Sequence, residues 1–159
     1  MQVFDASSMI YAWDNYPILQ FPGLWQWMAA QIAEGNIVIP SVAFDEVGHK
    51  YQECADWLRE KEIEKVSVTN AILQDALRIK GLIGVVGDKY HPKGVDENDI
   101  IIISTALNCR AELISNEGRK QRPDVISKSK IPTVCTMPEV SVPCINFLEY
   151  IKRSNAVFR

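Results

Sequence analysis

The stretch DENDIIIISTAL, residues 96–107, can be read as a buried strand or a buried helix, and the architecture turns on which it is. Four consecutive isoleucines suit a strand, where β-branched residues are enriched. A short apolar run does not by itself separate the two states. Three features favour the helix. Asp96, Glu97 and Asp99 crowd its opening, where unpaired backbone N–H groups and the helix dipole attract negative charge. The pattern runs on to about residue 108, which is long for a strand. Ala106 is a good helix former. Residues 100–106 are apolar except for Ser104 and Thr105, so this helix is expected to be buried on most sides.

Around it, short extended pieces alternate with helices. Strands are expected at 2–4, 37–40, 111–115 and 131–135, with a small extended link at 66–69. Pro40 biases Ile39 away from helix. A helix is expected to begin after Asp5, and others at 24–34, 70–82 and 146–153. One long helix is expected from Ser41, as N-cap, to about residue 61, with Phe44, Val47, Tyr51, Cys54 and Leu58 on its apolar side. In the last helix Phe147, Leu148 and Ile151 are expected to face inward. Proline and glycine mark loops at 15–23 and 89–94. The alternation predicts an α/β fold, a three-layer α/β/α sandwich whose central sheet is mostly parallel. Ligands in such sheets bind at the carboxyl ends of the strands.

At 159 residues the chain is expected to be one domain, 1–159. A chain of this size buries roughly 70% of its unfolded surface. A net charge of −3 argues against a protein that coats nucleic acid, though not against an enzyme touching a short stretch of backbone. No apolar run approaches the ~20 residues of a membrane helix, and nothing resembles a signal peptide, so a cytoplasmic protein is expected. Cys54, Cys109, Cys135 and Cys144 match no zinc spacing and read as buried small hydrophobes in a reducing compartment.

Four acidic residues stand where these elements begin and end. Asp5 follows the first strand, Glu46 lies in the helix after Pro40, Asp99 opens the isoleucine helix, and Glu117 follows the strand at 111–115. Burying a carboxylate is costly unless it is paired or holds a metal. If the four converge they make a hard-cation site, suited to Mg²⁺ or Mn²⁺ and to phosphodiester hydrolysis. Taken singly, each has an ordinary reading. Asp5 could cap a helix, Asp99 could answer the helix dipole, Glu46 could be solvated, and Glu117 could face Arg119 or Lys120. The basic residues Arg119, Lys120, Arg122, Lys128 and Lys130 read either as a solvated loop or as phosphate contacts beside the metal. Trp25, Trp27 and Trp57 fall in helical patterns and read as core or rim.

In order and spacing these residues resemble the PIN-domain nucleases and, within them, the PIN-like subgroup DUF4411. The matching motifs are VFDASSMI (3–10) with Asp5, VAFDEV (42–47) with Glu46, DIIIISTA (99–106) with Asp99, and Ser115-Asn116-Glu117 at a strand end. PGLWQWM (22–28) and KIPTVCTMPEVSVPCINFLEY (130–150) resemble the subgroup more narrowly. Asp96 offers an alternative alignment to Asp99, but Asp99 stands seven residues before Ala106, as the family pattern requires. Glu117 replaces the commoner Asp, and Ser115 the usual Thr. The resemblance implies an α/β/α sandwich with Asp5, Glu46, Asp99 and Glu117 as catalytic and metal-binding residues for Mg²⁺ or Mn²⁺. Ser7, Asn116 and Asp96 are candidate supporting residues beside these four, and Arg119, Lys120 and Arg122 are candidate RNA contacts. The resemblance implies an endoribonuclease, the toxin of a toxin–antitoxin pair, with a cognate antitoxin and a homodimer as partners.

Two other classes stay open. One is a catalytically weak or inactive PIN-like module that binds RNA or protein. The other is a phosphatase-like enzyme with Asp5 as nucleophile, which is weaker because Ser7 stands where such enzymes carry a second Asp.

Overall fold

The isoleucine stretch is a helix. The structure, a computed structural model, describes residues 1–118 and 123–159. Its elements are β1 (Gln2–Phe4), α1 (Ala6–Asn15), α2 (Pro22–Ala33), β2 (Ile37–Pro40), α3 (Ser41–Lys50), α4 (Gln52–Glu60), β3 (Glu64–Val66), α5 (Asn70–Leu82), α6 (Glu97–Cys109), β4 (Glu112–Ile114), a 3₁₀ turn (Ile126–Lys128), α7 (Ile131–Thr136), β5 (Cys144–Ile145) and α8 (Phe147–Ser154).

Helix α6 is fixed locally at its start. The Asp96 carboxylate accepts from Asp99 N–H at 2.8 Å, and the Asp99 carboxylate accepts from Asp96 N–H at 3.0 Å, closing a reciprocal capping box. Residues Ile100 through Ala106 are all buried. Ser104 and Thr105 tolerate this because their hydroxyls donate to the carbonyls of Ile100 and Ile101, each at 2.8 Å.

The five strands form one parallel sheet in the order β3-β2-β1-β4-β5. Val3 lies between Val38 and Leu113, so β1 is central and buried from both sides. The chain winds outward from β1 through β2 to β3, then returns through α5 and α6 to β4 on the other side of β1. The direction of winding reverses between β1 and β4. In open parallel sheets the crevice at such a reversal, beyond the strand carboxyl ends, is the usual ligand site. Helices flank the sheet, and one apolar core runs through the protein. An aromatic cluster of Trp13, Trp25 and Trp57 packs edge to face, with the Trp25 indole N–H donating to Tyr16 O at 2.6 Å.

Several expectations need correction. The helix expected over 41–61 is two helices, because Tyr51 adopts extended backbone (φ −141°, ψ 94°). Its carbonyl accepts from Cys54 and Ala55 N–H, so α4 starts anew and packs back on α3. Pro40, not Ser41, occupies the N-cap of α3. The strand expected over 131–135 is helix α7, with Pro132 in its first turn, where a missing N–H costs nothing. The fifth strand is instead Cys144–Ile145. Leu148 is exposed, and Tyr150 takes the inward place beside Phe147. All four cysteines are thiols, and the Cys135 and Cys144 side chains are in hydrogen-bond contact.

Gly94 is needed where it stands. A Cβ there would lie 1.9 Å from Ser127 O and 2.9 Å from the same carbonyl carbon. The next residue, Val95, donates its N–H to Ser129 O at 2.9 Å. Gly94→Ala is expected to cost about 1–3 kcal/mol of strain, lowering Tm by about 2–12 °C in a thermal melt. An unchanged Tm would mean that residues 127–129 yield freely.

Candidate metal centre

Asp5 follows β1 and is the first residue past the sheet's carboxyl edge. Its backbone N–H donates to Ile114 O at 2.9 Å, tying it to β4. Ser8 adds a second tie, its hydroxyl lying 2.8 Å from Asp5 O and 2.7 Å from Ile114 O. The Asp5 side chain is 2% exposed. One of its oxygens, Oδ2, accepts from the Ser7 hydroxyl at 2.5 Å and the Ser115 hydroxyl at 2.9 Å. Ser7 Oγ in turn accepts from Asn116 N–H at 2.9 Å. The β1 and β4 strand ends are therefore joined by a hydroxyl network around a single carboxylate. Burial pushes the Asp5 carboxyl above its usual range, against the opposing pull of the two serine hydroxyls.

The remaining acids come from three other elements. Asp99 projects from the first turn of α6, Glu46 from α3, and Glu117 from the turn after β4. Burial raises Asp99 to about 8, with the Asp96 N–H opposing and the charges of Glu117, Asp96 and Asp5 adding to the rise. Burial raises Glu46 to about 7, assisted by Asp5, Asp96 and Glu117 and opposed by a hydrogen bond from the Asn98 side chain. Glu117 is raised by burial and by Asp5, and held down by Lys130 and the Ile131 N–H. The Asp5 charge thus acts on all three of the others, and the Glu117 charge on Asp99 and Glu46, so the fold brings the four into one electrostatic neighbourhood at the sheet's reversal point. Among the described residues, no group of three or more His, Cys, Asp or Glu side chains is drawn together closely enough to hold a metal ion as it stands. Carboxylates sharing a site without a counter-cation repel one another.

The donor set fits a hard divalent cation in one specific respect. Glu117 Oε2 is buried and has no hydrogen-bond partner among the described residues. A buried carboxylate oxygen left this way is costly, and a cation is the partner its chemistry calls for.

Of the supporting residues, Ser7 and Asn116 lie in the Asp5 network, and Asn116 also accepts from Phe147 N–H at 2.9 Å. Asp96 is exposed and caps α6. The expected phosphate contacts Arg119, Lys120 and Arg122 lie outside the described residues. His49 is exposed and lines a shallow depression with Phe44, Asp45 and Arg59 rather than the carboxylates. Sequence reasoning missed Asn98, gave Ser8 a place in the turn after Asp5 but no role, and counted Lys130 only as one of a basic run. Ser8 at three residues past Asp5 carries the helix-start spacing that could have flagged it. Asn98 carries no such signal, and the pairing of Lys130 with Glu117 carries none either, since both act across elements.

These shifts bear on stability. Carboxyls in an unfolded chain titrate near about 4. In the cation-free protein Asp99 and Glu46 hold protons to about 8 and 7. The folded state therefore binds these protons more tightly. The stability they contribute is fully present below about pH 4 and is lost as pH rises through 7 and 8. Melting in EDTA is expected to show this part of Tm falling across that window, and the fall should flatten in an Asp99→Asn, Glu46→Gln double variant. The same slope in both proteins would mean that the two carboxyls titrate normally.

Residues 2–158 match the model of a family described as a domain of unknown function, DUF4411. No curated protein matches the chain. Among solved structures, it is similar to that of VapBC2 from Rickettsia felis bound to a DNA fragment from their promoter, with a TM-score of 0.57 and 16% identity over 91% of this chain and 97% of that one. At that identity the likeness speaks to the fold, which is PIN-like.

Proposed function

The chain belongs to the DUF4411 family, and from that premise we propose that it is a divalent-cation-dependent endoribonuclease, the toxin of a toxin–antitoxin pair. The observation that carries this reading is that Asp5, Glu46, Asp99 and Glu117 lie within Coulomb reach of one another beside the reversal point of a parallel sheet, each raised in pKa by burial and the last three also by neighbouring carboxylates. Such tuned carboxylates are the mark of a functional site more than of a structural one.

Asp5, Asp99 and Glu117 would hold Mg²⁺ or Mn²⁺. When bound, the cation supplies the charge that polarises a phosphodiester and acidifies water. The chain's own residues do the rest. Ser7 and Ser115 hold Asp5 by Oδ2 and so fix its orientation. The capping box fixes Asp99 while its charge faces the cluster. Glu46, steadied by Asn98 and poised to about 7, either binds a second ion or positions and deprotonates the attacking water. No cysteine or serine is required as a nucleophile, so attack is in line and leaves no covalent intermediate.

Substrate is cellular RNA, with the basic residues Arg119, Lys120 and Arg122 on its phosphates. One similar solved structure is that of VapBC2, which supports a cognate antitoxin as partner here, and PIN-like chains commonly pair as homodimers. The reaction is placed in the cytoplasm; among the described residues no helix is long and apolar enough to cross a membrane.

The test is RNA cleavage by purified protein in Mn²⁺, Mg²⁺ or EDTA. Cutting that EDTA stops is expected. In the same samples, cation at 100 times its Kd should stabilise the protein by about 2.7 kcal/mol, raising Tm by about 5–11 °C. The absence, among the described residues, of a ready-made group of three ligands favours one second reading, a PIN-like module that binds RNA or protein without cutting. Binding without cleavage in every metal would select it.

A further inference from the structure

Lys130 belongs to none of the four acidic motifs, though it closes the basic run and opens the 130–150 stretch, and the fold anchors it at the site from two sides. It is the N-cap of α7, and the N–H of the following Ile131 donates to the Glu117 carboxylate. Its own carbonyl accepts from Val134 N–H at 3.0 Å, so its backbone is held by the helix it starts. On the other side, the preceding residue Ser129 accepts from Val95 N–H at 2.9 Å, just before the Asp96–Asp99 cap. The tight fit of Gly94 against Ser127 closes the same seam. Lys130 is thus tied both to the Glu117 turn and to the segment that delivers Asp99. Its side chain is half-buried, and its ammonium lies within Coulomb reach of Glu117.

Glu117 keeps a second, buried oxygen that has no partner among the described residues. A cation entering there would compete with the ammonium for the same carboxylate. With Glu117 and its neighbouring carboxylates turned to the cation, the anionic oxygens of the phosphate it brings in are suited to accept from the displaced ammonium.

We propose that Lys130 is a phosphate ligand of this centre, balancing Glu117 when no cation is bound and turning to a non-bridging oxygen of the RNA phosphodiester when one is. The inference rests on the nuclease reading for its substrate class. The plain alternative is that Lys130 is only a counter-ion that keeps the Glu117 turn folded. The two differ in what removal of the charge does to RNA binding. In either role the ammonium stands beside Glu117, so its loss leaves metal binding equal or tighter. Loss of a phosphate ligand also weakens RNA binding and makes its salt dependence shallower, whereas loss of a counter-ion does neither.

The experiment compares wild type with Lys130→Met, Lys130→Gln and Lys130→Arg in the full chain. A fluorescein-labelled single-stranded RNA is titrated by anisotropy in Ca²⁺ over a range of salt. Mn²⁺ binding is measured by calorimetry without RNA, Tm in EDTA, and cleavage in Mn²⁺. Removing a charge-assisted hydrogen bond to phosphate is expected to weaken RNA binding about 10-fold or more. The slope of log K against log salt should become shallower by about 0.7, one phosphate on a single strand. Met and Gln should show both effects with Mn²⁺ affinity unchanged or tighter, and Arg should restore most of the binding. Unchanged RNA affinity and salt slope in Met and Gln overturn the proposal, and if wild type still cuts RNA the nuclease reading survives alone. Weaker Mn²⁺ binding would mean that the ammonium does not compete for Glu117 and overturns the proposal too, as does a Tm loss in both neutral variants without a salt-slope change, which leaves only the counter-ion. Wild type that neither binds nor cuts RNA ends both.

Discussion

Asp99→Asn is expected to lose about 10³-fold in Mn²⁺-dependent RNA cleavage while folding at least as well as the wild type. The amide keeps an oxygen that can accept from Asp96 N–H, so the capping box at the start of α6 survives. What disappears is the negative charge, and with it a ligand of the cation. Metal activation of a phosphodiester is worth several kcal/mol, and each 1.36 kcal/mol is about tenfold in rate. Removing the charge also relieves the repulsion that Asp5 and Glu117 impose on Asp99 in the cation-free protein. Tm in EDTA near pH 8 should therefore equal or exceed that of wild type. Loss of activity joined to equal or higher stability is the signature of a functional carboxylate, because functional sites are commonly kept at a cost in stability. Undiminished cleavage by the variant would point to a contaminating nuclease or to Asp96 as the true ligand. A lower Tm would mean that Asp99 serves the helix cap alone.

Phe147→Ala is expected to lower unfolding free energy by about 3–5 kcal/mol, which for a chain of this length is a Tm drop of about 6–20 °C. Phe147 is fully buried at the first turn of α8 and packs its ring against Phe4, Tyr11, Tyr16 and Tyr150. Truncation opens a cavity between α8, α1 and the central strand, ringed by large aromatics that cannot collapse into it cheaply. The same residue reaches the site through its backbone, since its N–H donates to Asn116 Oδ1, one residue before Glu117. Cleavage should then fall along with stability, but metal binding at low temperature should survive in the folded fraction. Urea unfolding followed by fluorescence gives the free energy directly. A loss under about 1 kcal/mol would show that the aromatic cluster repacks around the gap.

The parts of this protein that could be read in the chain are those whose physics is local. The choice of helix for the isoleucine run rests on acidic residues within one turn of the run itself, and the capping box realises it. Strand β1 ending just before Asp5 rests on an apolar run that stops at a polar residue, and so does β4, which ends at Ile114, one residue short of the expected 111–115. Helix α5 starts and ends at the predicted residues because Thr69 caps it and its apolar spacing is regular. Where an element is defined by what it packs on, local reading failed. Tyr51 fits an unbroken apolar stripe, yet the helix breaks there so that α4 can fold back and bury Cys54, Ala55 and Leu58. The run Ile131–Thr136 is too short for its period to be legible, and its place against α6 makes it a helix. Strand β5 has two residues and exists only because β4 offers a free edge.

The candidate site divides in the same way. Sequence by itself determined the α/β alternation and set four carboxylates at the ends of elements, because strand ends and helix first turns are specified within a few residues. Only the tertiary structure decided that the winding reverses between β1 and β4, that Ser7 and Ser115 hold Asp5, that Asn98 touches Glu46, and that Lys130 faces Glu117. Those contacts join residues up to 110 positions apart. Burial and Coulomb interaction act through space rather than along the chain, so the pKa shifts that mark the site arise only once the sheet has closed.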